Sequence, residues 1–425
     1  MSKTIIETVS SPVLNESYYK IKHKSGLTIL VHPMQGFSGV YALFATKFGS
    51  TNSSFKTDKD SEFITVPDGI AHFLEHKLFE GEKEDAFTSY SRTGASANAY
   101  TSFDKTAYLF SATDKIYESL EILLNVVTPP YFTDETVNKE MGIIGQEIRM
   151  YEDDPSWCVF LNLLKALYWN NPIKIDIAGT KESISHITPE LLYKPYYTFY
   201  NLGNMVLSVA GNIDVDSVLC LADKILVKKE DIKIENKVFD EPEDVFLKKI
   251  EKDLEVSMPL FEIGFKEKSG GGMKGRILNE MLLEMLFSEN TEFYQRLYNE
   301  DIINSTFEYE VLSGDGYLVN LIGGEAKDVQ KVYDEIEKEL DRIEKEGLDK
   351  DLFEIVKKQF YGNNVFKFNS VSSVASNMMN SYFEGQGAFD ALDILSKISF
   401  EDICEQFKES FDINRSSISV INPIN

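Results

Sequence analysis

Cysteine is scarce in this chain of 425 residues: Cys158, Cys220 and Cys404 are the only three, far apart and without metal-type spacing. That excludes a disulfide framework and a cysteine-based metal site, and reads as buried or semi-buried thiols in a reducing compartment. Long apolar runs are missing as well. No stretch reaches about 18 uninterrupted apolar residues, so no transmembrane helix is expected. The segment 1–17 has no apolar h-region and does not read as a secretory signal, which makes the cytoplasm the expected address. Positive charge is short, with 43 Lys plus Arg against 69 Asp plus Glu and a net charge of −26. Such a chain is repelled by phosphate backbones and anionic lipid surfaces, which argues against nucleic-acid or membrane binding.

Hydrophobic residues make up 43% and aromatics 12%, enough to bury sizeable cores and to rule out a disordered chain. The length suits about two domains. Residues 18–48 read as strands with a turn at Gly36, and 49–67 as a polar loop. A helix is expected over 68–79, a strand pair over 94–112, and helices over 114–127, 134–150, 156–169 and 188–200. Pro129-Pro130 ends the helix at 114–127, and 204–213 reads as a buried strand. The charged stretch 228–245 is the best linker. Beyond it strands at 246–265, a helix at 273–287, a strand pair at 304–323, helices from 326 and a strand at 416–421 repeat the coarse order of the first half. That order suggests an α+β fold and a diverged duplication. The run Gly270-Gly271-Gly272 reads as a loop and not as a phosphate cradle.

The chain has five histidines, and two of them fall in His72-Phe73-Leu74-Glu75-His76. At i and i+4 on a helix, the two imidazoles stack on one face and can both reach one Zn²⁺. Glu75, at the edge of that face, can accept a proton from water and pass it to a leaving amine. The order His-x-x-Glu-His is the known inverzincin signature. A catalytic zinc needs a third protein ligand. Glu140 and Glu147 lie two turns apart on the helix at 134–150, with Ile143 and Ile144 between them. One of the two could ligate the metal and the other could hydrogen-bond a ligating His.

Several segments together resemble peptidase family M16, which includes pitrilysin, insulin-degrading enzyme and the mitochondrial processing peptidases. They are GIAHFLEHKLF, GASANAYTSFDKTAYLFSA, EMGIIGQEIRMYEDDP, IAGTKESISHITPELLYKPYYTFY and NLGNMVLSVAGNID, in the family's order across 69–213. The chain looks most like the bacterial single-subunit branch. The resemblance implies two homologous α/β-roll domains, each a mixed β-sheet packed by helices. The zinc-bearing domain would be 1–228, the linker 229–245, and an inactive duplicate 246–425. It implies a zinc-dependent endopeptidase with one Zn²⁺ per chain on His72, His76 and Glu147. Glu75 would be the general base and Glu140 the second acidic residue. Glu147 is assigned over Glu140 by the local pattern Glu-x6-Glu-Ile. Asn98 and Ala99 match an edge strand to which a peptide substrate adds as a further strand, inside a chamber.

The second half departs from the family. An Arg and a Tyr that reach the substrate are expected after an Arg-Leu pair. Here Arg296-Leu297 is followed by YNEDIINSTFEYE, which lacks the Arg and has Phe307 where the Tyr would stand. The second half also has no histidine. A paralogous subunit without the zinc motif, supplying the pair in a dimer, is therefore expected, with a homodimer as the alternative. The rival to a peptidase is a non-catalytic M16-like scaffold subunit.

Overall fold

The structure, a computed structural model, describes residues 3–81, 84–127, 130–267 and 270–424. The strands are β1 (Ile5–Ser11), β2 (Glu16–Lys22), β3 (Thr28–Pro33), β4 (Val40–Thr46), β5 (Ser54–Thr57), β6 (Ile64–Thr65), β7 (Ser96–Thr101), β8 (Thr106–Ala112), β9 (Met205–Gly211), β10 (Ile234–Asn236), β11 (Lys249–Leu254), β12 (Leu260–Lys266), β13 (Glu308–Gly314), β14 (Tyr317–Glu325) and β15 (Ser416–Pro423). The helices are α1 (Ile70–Phe79), α2 (Ala86–Thr93), α3 (Ile116–Val126), α4 (Asp134–Asp153), α5 (Pro155–Leu167), α6 (Lys181–Ile184), α7 (Pro189–Phe199), α8 (Val215–Ile225), α9 (Gly272–Phe287), α10 (Glu292–Asn299), α11 (Val329–Glu346), α12 (Lys350–Phe366), α13 (Val371–Phe383), α14 (Asp390–Lys397) and α15 (Phe400–Ser410). Pro129, expected to help end α3, lies outside the described residues.

The fold is α+β, with mixed sheets packed by helices. The first unit holds a seven-stranded sheet in the order β1-β2-β3-β9-β4-β8-β7, and the second a five-stranded sheet in the order β11-β15-β12-β14-β13. The five strands from β3 to β7 and the five of the second sheet share one topology. Each begins with a parallel pair, β3 with β9 and β11 with β15, and continues with antiparallel pairs to the edge. Central β9 is buried at every residue, because a strand covered on both faces must be a nearly continuous apolar run. The region 49–67, expected as a loop, contains β5 and β6, which form a small third sheet with β10 in the order β10-β5-β6.

The compact units are not consecutive halves of the chain. Residues 149–175 pack with the second unit, and 365–389 with the first. The boundary expected at 229–245 therefore follows the chain but not the cores, and β10 within it pairs with β5. The exchange is reciprocal. In the second unit α5 lies against β12, where a Cβ on Gly264 would stand 2.8 Å from Leu167 Cδ1 and 3.0 Å from Leu163 Cδ2. In the first unit α13 lies against β9, and Ser208 Oγ donates to Ala375 O at 2.8 Å. Tyr382 OH donates to Thr28 Oγ1 at 3.0 Å.

Where α1 begins is set by two glycines. Gly69 has φ 87°, and a Cβ on it would fall 2.3 Å from Ala178 O. Gly179 has φ 74°, and its Cβ would fall 2.5 Å from Asp68 O. Ser183 Oγ secures the crossing with a hydrogen bond to Asp68 O at 2.9 Å. Gly94 also has positive φ but open space around it. Gly94→Ala should therefore cost about 1 kcal/mol, the left-handed strain alone. Gly69→Ala should cost about 2–4 kcal/mol, since strain and backbone collision add. Thermal unfolding of the two variants checks this, and equal midpoints would contradict it.

Candidate metal centre

Every residue of α1 except His76 is buried. Such a helix normally carries only apolar side chains, and here Phe73, Leu74 and Leu78 fill the core while His72 and Glu75 are buried beside them. The His72 and His76 rings lie one turn apart, with centroids separated by 4.6 Å and planes at 65°. Ligand atoms of His72, Glu75 and His76 all lie within 4.8 Å of one another.

α4 brings its two carboxylates to the same place. Glu147 Oε1 is 3.7 Å from His72 Nε2, and Glu147 Oε2 is 3.5 Å from His76 Nε2. Glu140 Oε1 accepts a hydrogen bond from His76 Nδ1 at 2.9 Å. In neutral His76 this bond puts the hydrogen on Nδ1 and leaves the Nε2 lone pair on the side of Glu147. His72 Nδ1 is buried and has no hydrogen-bond partner among the described residues. Both isoleucines were expected beside these carboxylates. Ile144 is buried on the core stripe of α4, but Ile143 is 47% exposed, because it lies one residue off that stripe.

The electrostatics divide the two histidines. Burial, aided by the charge of His76, pushes His72 down to about 3, so its ring is neutral near pH 7. Burial also opposes charge on His76. There the Glu140 hydrogen bond and the charges of Glu75, Glu140 and Glu147 prevail and hold it above the ordinary value. Burial raises Glu75, against the charge of His76 and a hydrogen bond from Thr101, with Glu147 adding to the rise. Burial would raise Glu140 too, but the His76 bond and charge outweigh it and lower the carboxyl. Two imidazole nitrogens and one carboxylate that converge, with a further carboxylate on the outer nitrogen of one ring, fit a divalent metal of the zinc type.

β7 is one of the two edge strands of the seven-stranded sheet. Asn98 is exposed on it, and its Oδ1 accepts from the Ala99 N–H at 2.9 Å. Sequence reasoning missed Thr101, at the end of this strand, whose hydroxyl donates to Glu75 Oε2 at 3.1 Å. Alternation along SANAYT puts Ala97, Ala99 and Thr101 on one face, and that was the signal available. It also missed the buried pair Tyr108 and Tyr200, whose hydroxyls meet at 2.9 Å. In the second unit Phe307 is a core residue against Tyr294, with ring centroids 5.9 Å apart, and Arg296 is paired with Glu335 at 2.7 Å.

Known proteins resemble this chain in sequence and fold. The sequence profile described as "Insulinase (Peptidase family M16)" matches residues 66–181, and the profile described as "Peptidase M16 inactive domain" matches residues 186–360. A Bacillus subtilis protein named "Uncharacterized zinc protease YmfH" is 36% identical over 99% of this chain and 100% of its own length. The chain belongs to peptidase family M16. A solved structure from Alicyclobacillus acidocaldarius, described as an M16-like peptidase, superposes with a TM-score of 0.91 at 32% identity. It covers 100% of this chain and 99% of its own. The Schizosaccharomyces pombe protein named as a mitochondrial-processing peptidase subunit beta is 28% identical over 47% of this chain and 43% of its own length. Among the described residues no helix is long and apolar enough to cross a membrane. The three cysteines are free, and Cys158 is buried and Cys404 half-buried, but Cys220, expected to be at least half-buried, is exposed because it lies off the Val218–Ala222 stripe of α8.

Metal uptake should move a proton. A metal takes the neutral imidazole, and the carboxylates hold His76 charged at and above its ordinary value of 6.5. His72 is already neutral there. Zinc binding by the metal-free chain at pH 6.5 should therefore release roughly one proton, and release should fade as pH rises through the raised His76 value. Calorimetry in buffers of different ionisation enthalpy measures it; no release at pH 6.5 would overturn the assignment.

Proposed function

We propose that this M16 chain is a zinc-dependent endopeptidase that cleaves unfolded peptides bound as an added strand at the free edge of β7. The observation that supports it best is the convergence of His72, His76 and Glu147 beside a buried Glu75. Those three residues would hold a zinc ion, which would supply Lewis-acid polarisation of a peptide carbonyl and a lowered pKa for water. Glu75 then accepts the proton of the attacking water and delivers it to the leaving amine; its raised pKa suits both tasks. Glu140 orients His76 through Nδ1. Backbone groups of β7 around Asn98 and Ala99 hold the substrate extended, with side chains alternating toward and away from the site. The family likeness favours one zinc per chain and an enclosed chamber.

The Arg and Tyr absent from the second half are assigned to a partner. A paralogous subunit that lacks the zinc motif is the preferred partner, and a second copy of this chain the alternative. The relative named as a subunit beta supports a two-chain arrangement. Nothing in the chain calls for nucleic acid or a membrane surface.

A library of unstructured peptides, offered to the chain with and without its paralogue, tests the proposal. Glu75→Gln should lower kcat by about 10²–10⁴ while zinc stays bound, and a chelator should abolish cleavage. Glu140→Gln should weaken zinc binding by about 10–100-fold. Zinc bound without cleavage in any combination would favour the non-catalytic scaffold.

A further inference from the structure

The tip of the hairpin between β7 and β8 is clamped to the sheet. Thr101 and Thr106 are its last paired residues. Ser102 N–H donates to Lys105 O at 2.8 Å, and Ser50 and Thr51 donate to Ser102 O and Phe103 O at 3.1 and 2.9 Å. A Cβ on Gly49 would lie 2.5 Å from three backbone atoms of 102–104, so the loop and the hairpin tip touch backbone to backbone. Thr101 thus stands on a fixed support.

The direction of its hydrogen bond can be worked out. Thr106 Oγ1 lies 2.8 Å from Phe48 O and 3.4 Å from Thr101 Oγ1. A hydroxyl has one proton, and the carbonyl at the shorter distance takes it. The hydroxyl proton of Thr101 is then free for Glu75 Oε2, at 3.1 Å. Among the described residues no other hydrogen bond reaches the Glu75 carboxylate, so Oε2 is occupied and Oε1 is left open.

We propose that Thr101 is a positioning residue: it pins Glu75 by Oε2 so that Oε1 alone handles the reacting proton. The inference rests on the reading of Glu75 as the base. The same residue ties the base to the strand that would take the substrate, since Asn98 and Ala99 precede it on β7. A peptide docked along that strand is thereby held in register with the base. β-Branching suits the task, because it restricts χ1 and favours the strand. Water does the chemistry with Glu75, and Thr101 gains and loses nothing.

The test compares Thr101→Val, which keeps the shape, with Thr101→Ser, which keeps the hydroxyl. Loss of a hydrogen bond to a charged group corresponds to a factor of about ten to a hundred. Thr101→Val should lower kcat by about that factor with KM and zinc affinity little changed, and Thr101→Ser should restore kcat to within about threefold. If Thr101→Val fails to fold, Thr101→Ala makes the same comparison. An equilibrium readout separates this inference from the peptidase reading. A peptide hydroxamate bound to the zinc-loaded chain should hydrogen-bond the base carboxylate, so Thr101→Val should weaken it about tenfold and Thr101→Ser little. That pattern without peptide cleavage would sink the peptidase reading and leave Thr101 in its role. Unchanged kcat and hydroxamate affinity in Thr101→Val, or Thr101→Ser as impaired as Thr101→Val, would overturn it.

Discussion

The burial of α1 is the constraint on which the rest of the first unit depends. Two imidazoles and a carboxylate sit in a helix whose other side chains are core apart from Lys77, which pairs with Glu80, and buried polar groups need partners. The partners come from two directions, Glu140 and Glu147 on α4 and Thr101 on β7. Satisfying one helix therefore fixes the azimuth of α4 and the end of the edge strand at once. The sum of charges is unbalanced. Three carboxyl groups face two imidazoles, one of which burial keeps neutral. A divalent cation among them would replace repulsion by attraction, inverting the usual cost of gathering acids in a desolvated place.

The zinc-type motif was legible because it is local. One turn of helix dictates that His72 and His76 meet, and two turns dictate that Glu140 and Glu147 share a face. Most long elements were legible for the same reason, since β9 and α9 carry unambiguous apolar patterns. What stayed hidden is non-local or weakly patterned. β1 is exposed along most of its length, and in α2 only Tyr90 is buried, so neither has a stripe to read. β5 and β6 are short and polar and exist as strands through pairing with each other and β10. The exchange of α5 and α13 between the units is invisible locally. It is fixed by contacts such as Ser208 with Ala375 and Gly264 with Leu163 and Leu167, far apart in the chain. Thr101 was missed because a hydroxyl has no motif; only the approach of β7 to α1 gives it a role.

The two sheets allow a comparison inside one chain. α1 lies on the connection from β4 to the strand pair β7 and β8, together with β5, β6 and α2, and α9 lies with α10 on the connection from β12 to the pair β13 and β14. α9 is buried through Met273, Ile277, Leu278, Met281, Leu282, Met285 and Leu286. Its buried polar residue, Asn279, is satisfied locally, giving a hydrogen bond to Gly275 O at 2.9 Å and taking one from Asn320 at 2.8 Å. The scaffold therefore closes with methionine and leucine in the helix that, in the other unit, carries histidine and glutamate. Replacing a buried ionic group by packed apolar residues is commonly neutral or stabilising. Folding thus gives no reason for His72, Glu75 and His76 to be polar, nor for α4 to turn two carboxylates onto them. Their convergence in the first unit fits the divalent-metal site proposed above.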